Sequence, residues 1–254
     1  MIIRERLDSF VMIDQHHHAS LSGKLFDNLK SLFTLQEKTL HLALRHAIYY
    51  HDVGWIPFDL HPFWDDQSQA PYSFITFPNS VKVVLYQSGI DTVQEVNAYA
   101  GLLCSEHYRR FLNKDYTSFP KKFVHNEKIR QNNLIHTFEQ FNYDTFQLHY
   151  EVLQFFDNLS LYLCLHEPDT NEDDIHYFFK NGITLPKLFG GEKLQLFWDD
   201  TSIVLDKALF QKVVNISLIQ KVVPKIDIKQ YGLIEAWQNA PSETIDLYVK
   251  DFHS

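Results

Sequence analysis

An adjacent histidine and aspartate, His51 and Asp52, offer an imidazole nitrogen and a carboxylate oxygen to one metal ion. Alone, such a pair is more often a helix C-terminus with a solvent-facing aspartate. His18 and His107, near the apolar faces of two predicted helices, add further donors. Asp157 lies in so apolar a helical segment that we expect it to be buried, which is costly for a carboxylate unless it is paired or bound to metal. The sequence therefore predicts a metal site with these ligands: His18, His51, Asp52, Asp157 and His107.

The order of these residues, a histidine, a His-Asp pair and a distant aspartate, resembles the HD-domain superfamily of metal-dependent phosphohydrolases. The resemblance implies a divalent ion at the centre of a helical bundle. His18 matches the first ligand, His51 and Asp52 match the doublet, and Asp157 matches the last ligand. His107 falls where many members carry a histidine that meets a second metal or the substrate phosphate.

A closer resemblance covers most of the chain. The segments that carry it are Gln-His-His-His-Ala at 15–19, His-Asp-Val-Gly-Trp at 51–55, Pro-Tyr-Ser-Phe at 71–74, Leu-Leu-Cys-Ser-Glu-His at 102–107 and Phe-Asp-Asn-Leu-Ser-Leu at 156–161. In combination they look like the bacterial DUF3891 family, whose function is uncharacterised. The resemblance implies a divergent HD-type fold.

One position departs from the phosphohydrolase pattern. Members of the superfamily often carry Glu or Lys three residues after the doublet aspartate, as an acid/base or phosphate-binding group, and here that residue is Trp55. A tryptophan can neither transfer a proton in this role nor neutralise a phosphate. Asp59 and His61 follow closely and could substitute. The catalytic candidates are therefore Asp52, Asp59 and His61.

Three side chains are candidates for substrate contact: His107, Trp55 and His16. His16 could point into the same cleft as His18. Trp55 begins an aromatic, proline-broken segment over residues 55–80, which is too apolar for a mobile linker. Its simplest interpretation is a hydrophobic flap on the bundle, and the alternative is a lid or a wall that stacks on a base or ring.

These residues predict metal-dependent hydrolysis of a phosphate ester or nucleotide, with a divalent ion such as Mn, Fe, Zn, Ni or Mg. Mixed imidazole and carboxylate ligands favour a transition metal over Mg. Two alternatives stay open. One is a metal-stabilised binding protein without turnover, which Trp55 favours. The other is an HD-type di-iron oxygenase, which would need His107 and one further ligand.

Composition limits the other classes of function. The chain has 254 residues, 14 histidines, two cysteines and a net charge of −9, with 45% hydrophobic residues. A surface this acidic argues against nucleic-acid binding, and two cysteines make no disulfide framework. No run of about 18 apolar residues is present, so we expect neither a signal peptide nor a membrane span and assign a cytoplasmic location. A small phosphate or nucleotide is the expected partner, and a homo-oligomer is possible.

The elements that position these residues are mostly predicted helices, over 18–33, 36–51, 92–111, 127–141 and 144–165. A strand is predicted at 11–13, and further strands at 193–198, 201–205, 213–219 and 244–249. The predicted fold class is mainly α, an HD-domain-like helical bundle with a small C-terminal antiparallel β element. Residues 1–170 would form the metal-binding core, and residues 171–254 an extension packed on it.

Overall fold

The structure is a computed structural model that describes residues 1–30 and 38–252. Phe33 and Gln36, where two predicted helices end and begin, and His253 lie outside the described residues. The helices in these ranges are α1 (Gln15–Asp27), α2 (Lys38–Tyr50), α3 (Ile56–Leu60), α4 (Asn79–Val96), α5 (Ala98–Leu112), α6 (Ser118–Ile135), α7 (Tyr143–Leu165), α8 (Lys225–Tyr231) and α9 (Leu233–Asn239). None of the described helices is long and apolar enough to cross a membrane.

The described strands are β1 (Ile2–Glu5), β2 (Ser9–Ile13), β3 (Trp64–Asp65), β4 (Ala70–Pro71), β5 (Ile183–Thr184), β6 (Lys193–Leu194), β7 (Leu196–Asp199), β8 (Ser202–Leu205), β9 (Val214–Pro224) and β10 (Ser242–Asp251). Six of them form one mixed sheet in the order β1-β2-β9-β10-β8-β7. Neighbouring strands are antiparallel except β10 and β8, which are parallel. The pairs β3-β4 and β5-β6 are separate two-stranded ribbons.

The prediction of a mainly α, HD-like bundle with a small C-terminal β element is wrong. The protein has an α/β fold, because the N-terminal hairpin β1-β2 joins the C-terminal strands through β2 and β9, where Val11 faces Val222. The main sheet thus combines strands from both sides of residue 170, and it is mixed rather than antiparallel. Pairing between segments so distant in sequence leaves no local pattern that could have revealed it.

Helices pack against one another to form the layer that contains the predicted ligands. α1 packs on α2 and α7, while α5 packs on α2, α4, α6 and α7. Local signals explain where two of these helices begin: Asn97 accepts a hydrogen bond from Ala100 N, and Asn142 accepts one from Thr145 N. Most of α7 from His149 to Cys164 is buried, as its apolar sequence predicts.

Several predicted elements differ in extent from the observed ones. The single helix predicted over 92–111 is two helices, since Asn97 is extended between α4 and α5. The helix predicted over 127–141 is α6, which begins and ends earlier. The aromatic segment 55–80 contains α3 and the ribbon β3-β4. The hairpin predicted around Asp199-Asp200 agrees with β7 and β8.

A close helix contact fixes the segment that follows the His-Asp pair. The 3₁₀ turn Val53–Trp55 lies against α4, where a Cβ added to Gly54 would lie 2.1 Å from the carbonyl oxygen of Leu85. Gly89 of α4 faces Gly54 from the other side of the contact. No larger residue fits at Gly54 without displacing backbone, so this glycine determines how closely the doublet approaches α4.

Candidate metal centre

Four segments of the helical layer bring the predicted ligands together. His18 lies on α1, His51 and Asp52 directly follow α2, His107 lies on α5 and Asp157 lies on α7. All five side chains are buried. Buried polar groups need partners, and a cluster of imidazoles and carboxylates is the donor set that divalent transition metals prefer.

His18, His51 and Asp157 form a buried group that could hold a metal ion. The Nε2 atoms of His18 and His51 are 3.3 Å apart. Asp157 Oδ1 lies 3.4 Å from Nε2 of His51 and 3.6 Å from Nε2 of His18. Asp52 Oδ2 adjoins the group, 2.8 Å from His18 Nε2 and 3.7 Å from His51 Nε2.

These separations fit one ion. Two ligand atoms that each lie about 2.1 Å from a metal are about 3.0 Å apart at a right angle and about 3.4 Å apart at the tetrahedral angle. The three distances within the His18, His51 and Asp157 group range from 3.3 to 3.6 Å. The group is therefore already spaced as a coordination shell would be, and a soft-to-borderline ion suits its two imidazoles.

Contacts at the far side of each imidazole orient it toward the group. His51 Nδ1 lies 2.8 Å from the carbonyl oxygen of Ile48, which only accepts, so Nδ1 carries a hydrogen and Nε2 is the nitrogen that would offer its lone pair to a metal ion in the centre. His18 Nδ1 lies 2.7 Å from Ser160 Oγ. The Ser160 hydroxyl donates to the carbonyl oxygen of Asp157 and can thus accept from His18. Such outer contacts are typical of metal-binding histidines.

Asp52 is held by donors on both of its oxygens. Gln15 Nε2 donates to Oδ2 at 2.8 Å, and the Tyr108 hydroxyl donates to Oδ1 at 2.8 Å. Tyr108 also contacts the carbonyl oxygen of His51, and its ring stacks on Tyr86 with centroids 4.0 Å apart. Tyr108 thus fixes the His-Asp pair against α4 and α5.

Comparison with known proteins confirms the family that the five sequence segments indicated. The family model described as "Protein of unknown function (DUF3891)" matches residues 1–225. The chain belongs to the DUF3891 family. Searches of curated proteins and of solved structures returned no match to this chain. The family match does not connect the chain to the HD-domain superfamily.

The range that matches the DUF3891 family model includes every predicted site residue. Within the centre, the histidines and carboxylates shift one another's pKa values. Burial lowers the pKa of His51, but the carboxylates of Asp52 and Asp157 outweigh it and raise that pKa to about 9. Burial raises the pKa of Asp52, yet His51 and His18 hold it well below its usual range. Burial raises the pKa of Asp157, but the neighbouring histidines outweigh it, so this pKa is lowered. Without a metal, protonated His51 is therefore the cation beside these negative carboxylates at neutral pH, and a divalent ion could take the place of its proton.

His107 borders the DUF3891 centre on the α5 side. Its Nε2 lies 3.8 Å from Asp157 Oδ2, beyond hydrogen-bond distance, and its buried Nδ1 has no hydrogen-bond partner among the described residues. Burial lowers the pKa of His107 to about 4, against the opposing effect of Asp157. His107 is therefore a neutral imidazole with unused bonding capacity.

The other candidate residues lie outside this group. Trp55 is buried among aromatic side chains of the 55–77 segment and α4. Asp59 pairs with the Met1 amino group at 2.7 Å and accepts from the His16 backbone N–H at 3.2 Å. The His16 ring lies 5.9 Å from that of Tyr50, centroid to centroid, and Asp52 and His51 both influence its pKa, which burial lowers. His61 is exposed at the end of α3.

Three supporting residues of the DUF3891 centre were not anticipated: Gln15, Tyr108 and Ser160. Each stands close in sequence to a predicted ligand or neighbour, since Gln15 precedes the histidine run and Ser160 follows Asp157 by three residues. In a helix, residues three apart share a face, so Ser160 could have been sought there. Gln15 and Tyr108 reach Asp52 only through the tertiary fold, and no local pattern indicates them.

Proposed function

We propose that this protein is a metal-dependent hydrolase of a phosphate ester or nucleotide. One observation carries the proposal: two imidazoles and a carboxylate converge, buried, at the spacing of ligands around one ion. In the proposal His18, His51 and Asp157 bind the ion, and Asp52 Oδ2 is a fourth ligand. The proposal uses the ligand order shared with HD-type phosphohydrolases and does not depend on a shared fold.

A divalent ion in such a centre would lower the pKa of a bound water and polarise a phosphoryl oxygen. The chain's own residues would bind and orient. His107 lies beside Asp157, and its ring nitrogen Nδ1 has no hydrogen-bond partner among the described residues. We propose that His107 binds the substrate phosphate. Asp59 and His61 are the proposed proton-transfer groups, and Asp59 accepts a hydrogen bond from the backbone N–H of His16, two residues before His18.

A second candidate function is a metal-stabilised binding protein without turnover. It is favoured by the surroundings of the expected acid/base residues. Trp55 is enclosed by aromatic rings, and the Asp59 carboxylate is neutralised by the Met1 amino group. A proton-transfer group that is already paired contributes little to general acid–base catalysis.

Elemental analysis of the purified protein, together with Asp52→Ala and His51→Ala, tests the metal centre. We expect bound Mn, Fe, Zn or Ni in the wild type and its loss in both variants. A protein without metal, whose stability and metal content do not change in Asp52→Ala, would contradict the proposal. A panel of nucleotides and phosphate esters assayed with Mn²⁺ separates the two functions, because metal-dependent turnover that His51→Ala abolishes excludes a binding-only role.

A further inference from the structure

Gln15 is the first residue of α1 and is only 3% exposed, yet just one end of its amide is satisfied. Its Nε2 donates to Asp52 Oδ2 at 2.8 Å. Its Oε1 is buried and has no hydrogen-bond partner within the described chain. The carboxylate of Asp52 can only accept, so the NH₂ group must face it, and the amide cannot be turned to bring Oε1 there instead.

An acceptor that is buried without a donor loses the hydrogen bonds that water gives it in the unfolded chain, which destabilises the folded protein. Such atoms in native proteins usually bind water or a ligand. No donor of the described residues, the imidazoles of the centre included, lies within hydrogen-bond distance of Gln15 Oε1. The described residues therefore leave Gln15 Oε1 free to accept from a bound molecule.

The position of Oε1 favours a water bound at the centre as that molecule. The oxygen and nitrogen of one amide are about 2.3 Å apart, so Oε1 lies within about 5 Å of Asp52 Oδ2. Oδ2 is also the carboxylate oxygen nearest His18 Nε2, at 2.8 Å. A water beside the ion would lie about 3 Å from such a ligand oxygen. Gln15 Oε1 is thus close enough to Asp52 Oδ2 to accept a hydrogen bond from a water bound at this side of the centre.

We propose that Gln15 is a catalytic residue that accepts a hydrogen bond from the hydrolytic water through Oε1 while its NH₂ group holds Asp52. This inference rests on the proposed function. In the hydrolysis the water oxygen forms the new P–O bond, and the ester P–O bond breaks with its electron pair on the alcohol oxygen. The water loses one proton and the alcohol gains one. The neutral amide takes up no proton, so Gln15 orients the water and does not act as its base.

Kinetics with Mn²⁺ test this role. The variants are Gln15→Leu, Tyr108→Phe, which removes the donor to the other oxygen of Asp52, and Gln220→Leu, a buried glutamine that bonds Arg4. Gln15→Leu and Tyr108→Phe should both bind Mn²⁺ about tenfold more weakly, since each removes one outer contact of Asp52. At saturating Mn²⁺, kcat for p-nitrophenyl phosphate and nucleoside monophosphates should fall about 100-fold in Gln15→Leu and far less in Tyr108→Phe. Gln220→Leu should keep the wild-type kcat.

Two outcomes separate this inference from the function on which it rests. Absence of Mn²⁺-dependent turnover in the wild type overturns the proposed function, and this role with it. Turnover in the wild type, with equal kcat losses in Gln15→Leu and Tyr108→Phe, overturns the role of Gln15 alone.

A crystal structure of the Mn²⁺-loaded wild type gives a readout that needs neither activity nor a folded variant. We expect an ordered water within about 3.2 Å of Gln15 Oε1. An Oε1 atom that binds the ion itself, or that has no water beside it, would overturn the proposal.

Discussion

The Nε2 atoms of His18 and His51 face each other across 3.3 Å at the buried centre of the helical layer. The carbonyl oxygen of Ile48 keeps the hydrogen of neutral His51 on Nδ1, so its Nε2 offers a lone pair to the centre. The carboxylates of Asp52 and Asp157 lie beside the same two nitrogens. This arrangement is stable only when a proton or a metal ion occupies the space between these donors.

Loss of Asp157 should therefore remove the stabilisation that metal confers. In the wild type a metal at about 100 times its Kd should add about 2.7 kcal/mol to the free energy of unfolding. Asp157→Ala removes one ligand of the buried group, so we expect Zn²⁺ or Mn²⁺ to leave its Tm nearly unchanged. Thermal unfolding after EDTA treatment, with and without added metal, measures this difference.

His136→Ala is the matched control for a histidine outside the centre, because His136 is exposed at the end of α6. It should keep the full metal-induced rise in Tm. An equal rise in Asp157→Ala would show that the metal binds somewhere else.

Ser160→Ala should weaken metal binding without removing a ligand. The Ser160 hydroxyl lies 2.7 Å from His18 Nδ1 and fixes the orientation of that ring. Loss of such an outer contact typically costs 10- to 100-fold in metal affinity, so we expect an effect of about tenfold. Titration calorimetry of the metal-free protein with Zn²⁺ measures it.

Ser22→Ala provides the comparison for this prediction. Ser22 bonds Ser160 Oγ at 2.7 Å and the His18 carbonyl oxygen at 3.1 Å, but it does not touch the imidazole. Its metal affinity should stay within about threefold of the wild type. Equal losses in the two variants would mean that Ser160 acts through packing rather than through His18.

Gly54→Ala should strongly destabilise the protein. The added methyl group would lie 2.1 Å from the Leu85 carbonyl oxygen and 2.9 Å from Gly89 N, and both are backbone atoms of α4. Overpacking against well-packed neighbours typically costs about 1–3 kcal/mol, and we expect the upper end here because no flexible side chain can yield. Urea unfolding measures the loss.

Gly191→Ala distinguishes close packing from backbone strain. Gly191 has a φ of +74°, but an added Cβ would meet nothing closer than 3.8 Å. Its cost should be about 1 kcal/mol, from the left-handed conformation alone. A Gly54→Ala variant no less stable than Gly191→Ala would show that α4 moves away from the doublet at little cost.

The sequence predicted individual elements better than their arrangement. Hydrophobic periodicity located α7, and β-branched runs located most of β8, β9 and β10. The pairing of the strands could not be predicted. β2 pairs with β9 through residues such as Val11 and Val222, which are too far apart in sequence for a local pattern to connect them. The strand β1 was not anticipated, because Arg4 and Glu5 mask its short apolar pattern.

In the candidate centre, too, the sequence predicted individual residues better than the contacts between them. Residue type and order brought His18, His51 and Asp157 to notice, and these three converge. The spacing could not show that Trp55 is enclosed by aromatic side chains, because its burial depends on rings that the fold brings together, such as Phe77 and Tyr86. Gln15 was not predicted, because its contact with Asp52 joins α1 to the segment after α2 and so depends on the tertiary fold.

Stability should fall as the pH drops below about 6.5, and His149 should account for one proton of that dependence. His149 is 2% exposed, and its Nδ1 shares a hydrogen bond with the Tyr99 hydroxyl at 2.8 Å. Burial, with a smaller effect of His41, lowers its pKa to about 4. Between about pH 6.5 and 4 the unfolded chain binds this proton and the folded chain does not. Stability is therefore complete above that window and is lost as the pH falls through it.

His149→Gln keeps an acceptor for Tyr99 but cannot be protonated. One proton corresponds to about 1.4 kcal/mol per pH unit, so the variant's free energy of unfolding should depend less steeply on pH by about that amount within the window. Urea unfolding of the EDTA-treated proteins from pH 4 to 7 measures both slopes, and EDTA prevents metal release from contributing. His136→Ala, with an exposed histidine, should retain the wild-type slope. Parallel slopes for His149→Gln and the wild type would mean that His149 is protonated in the folded protein.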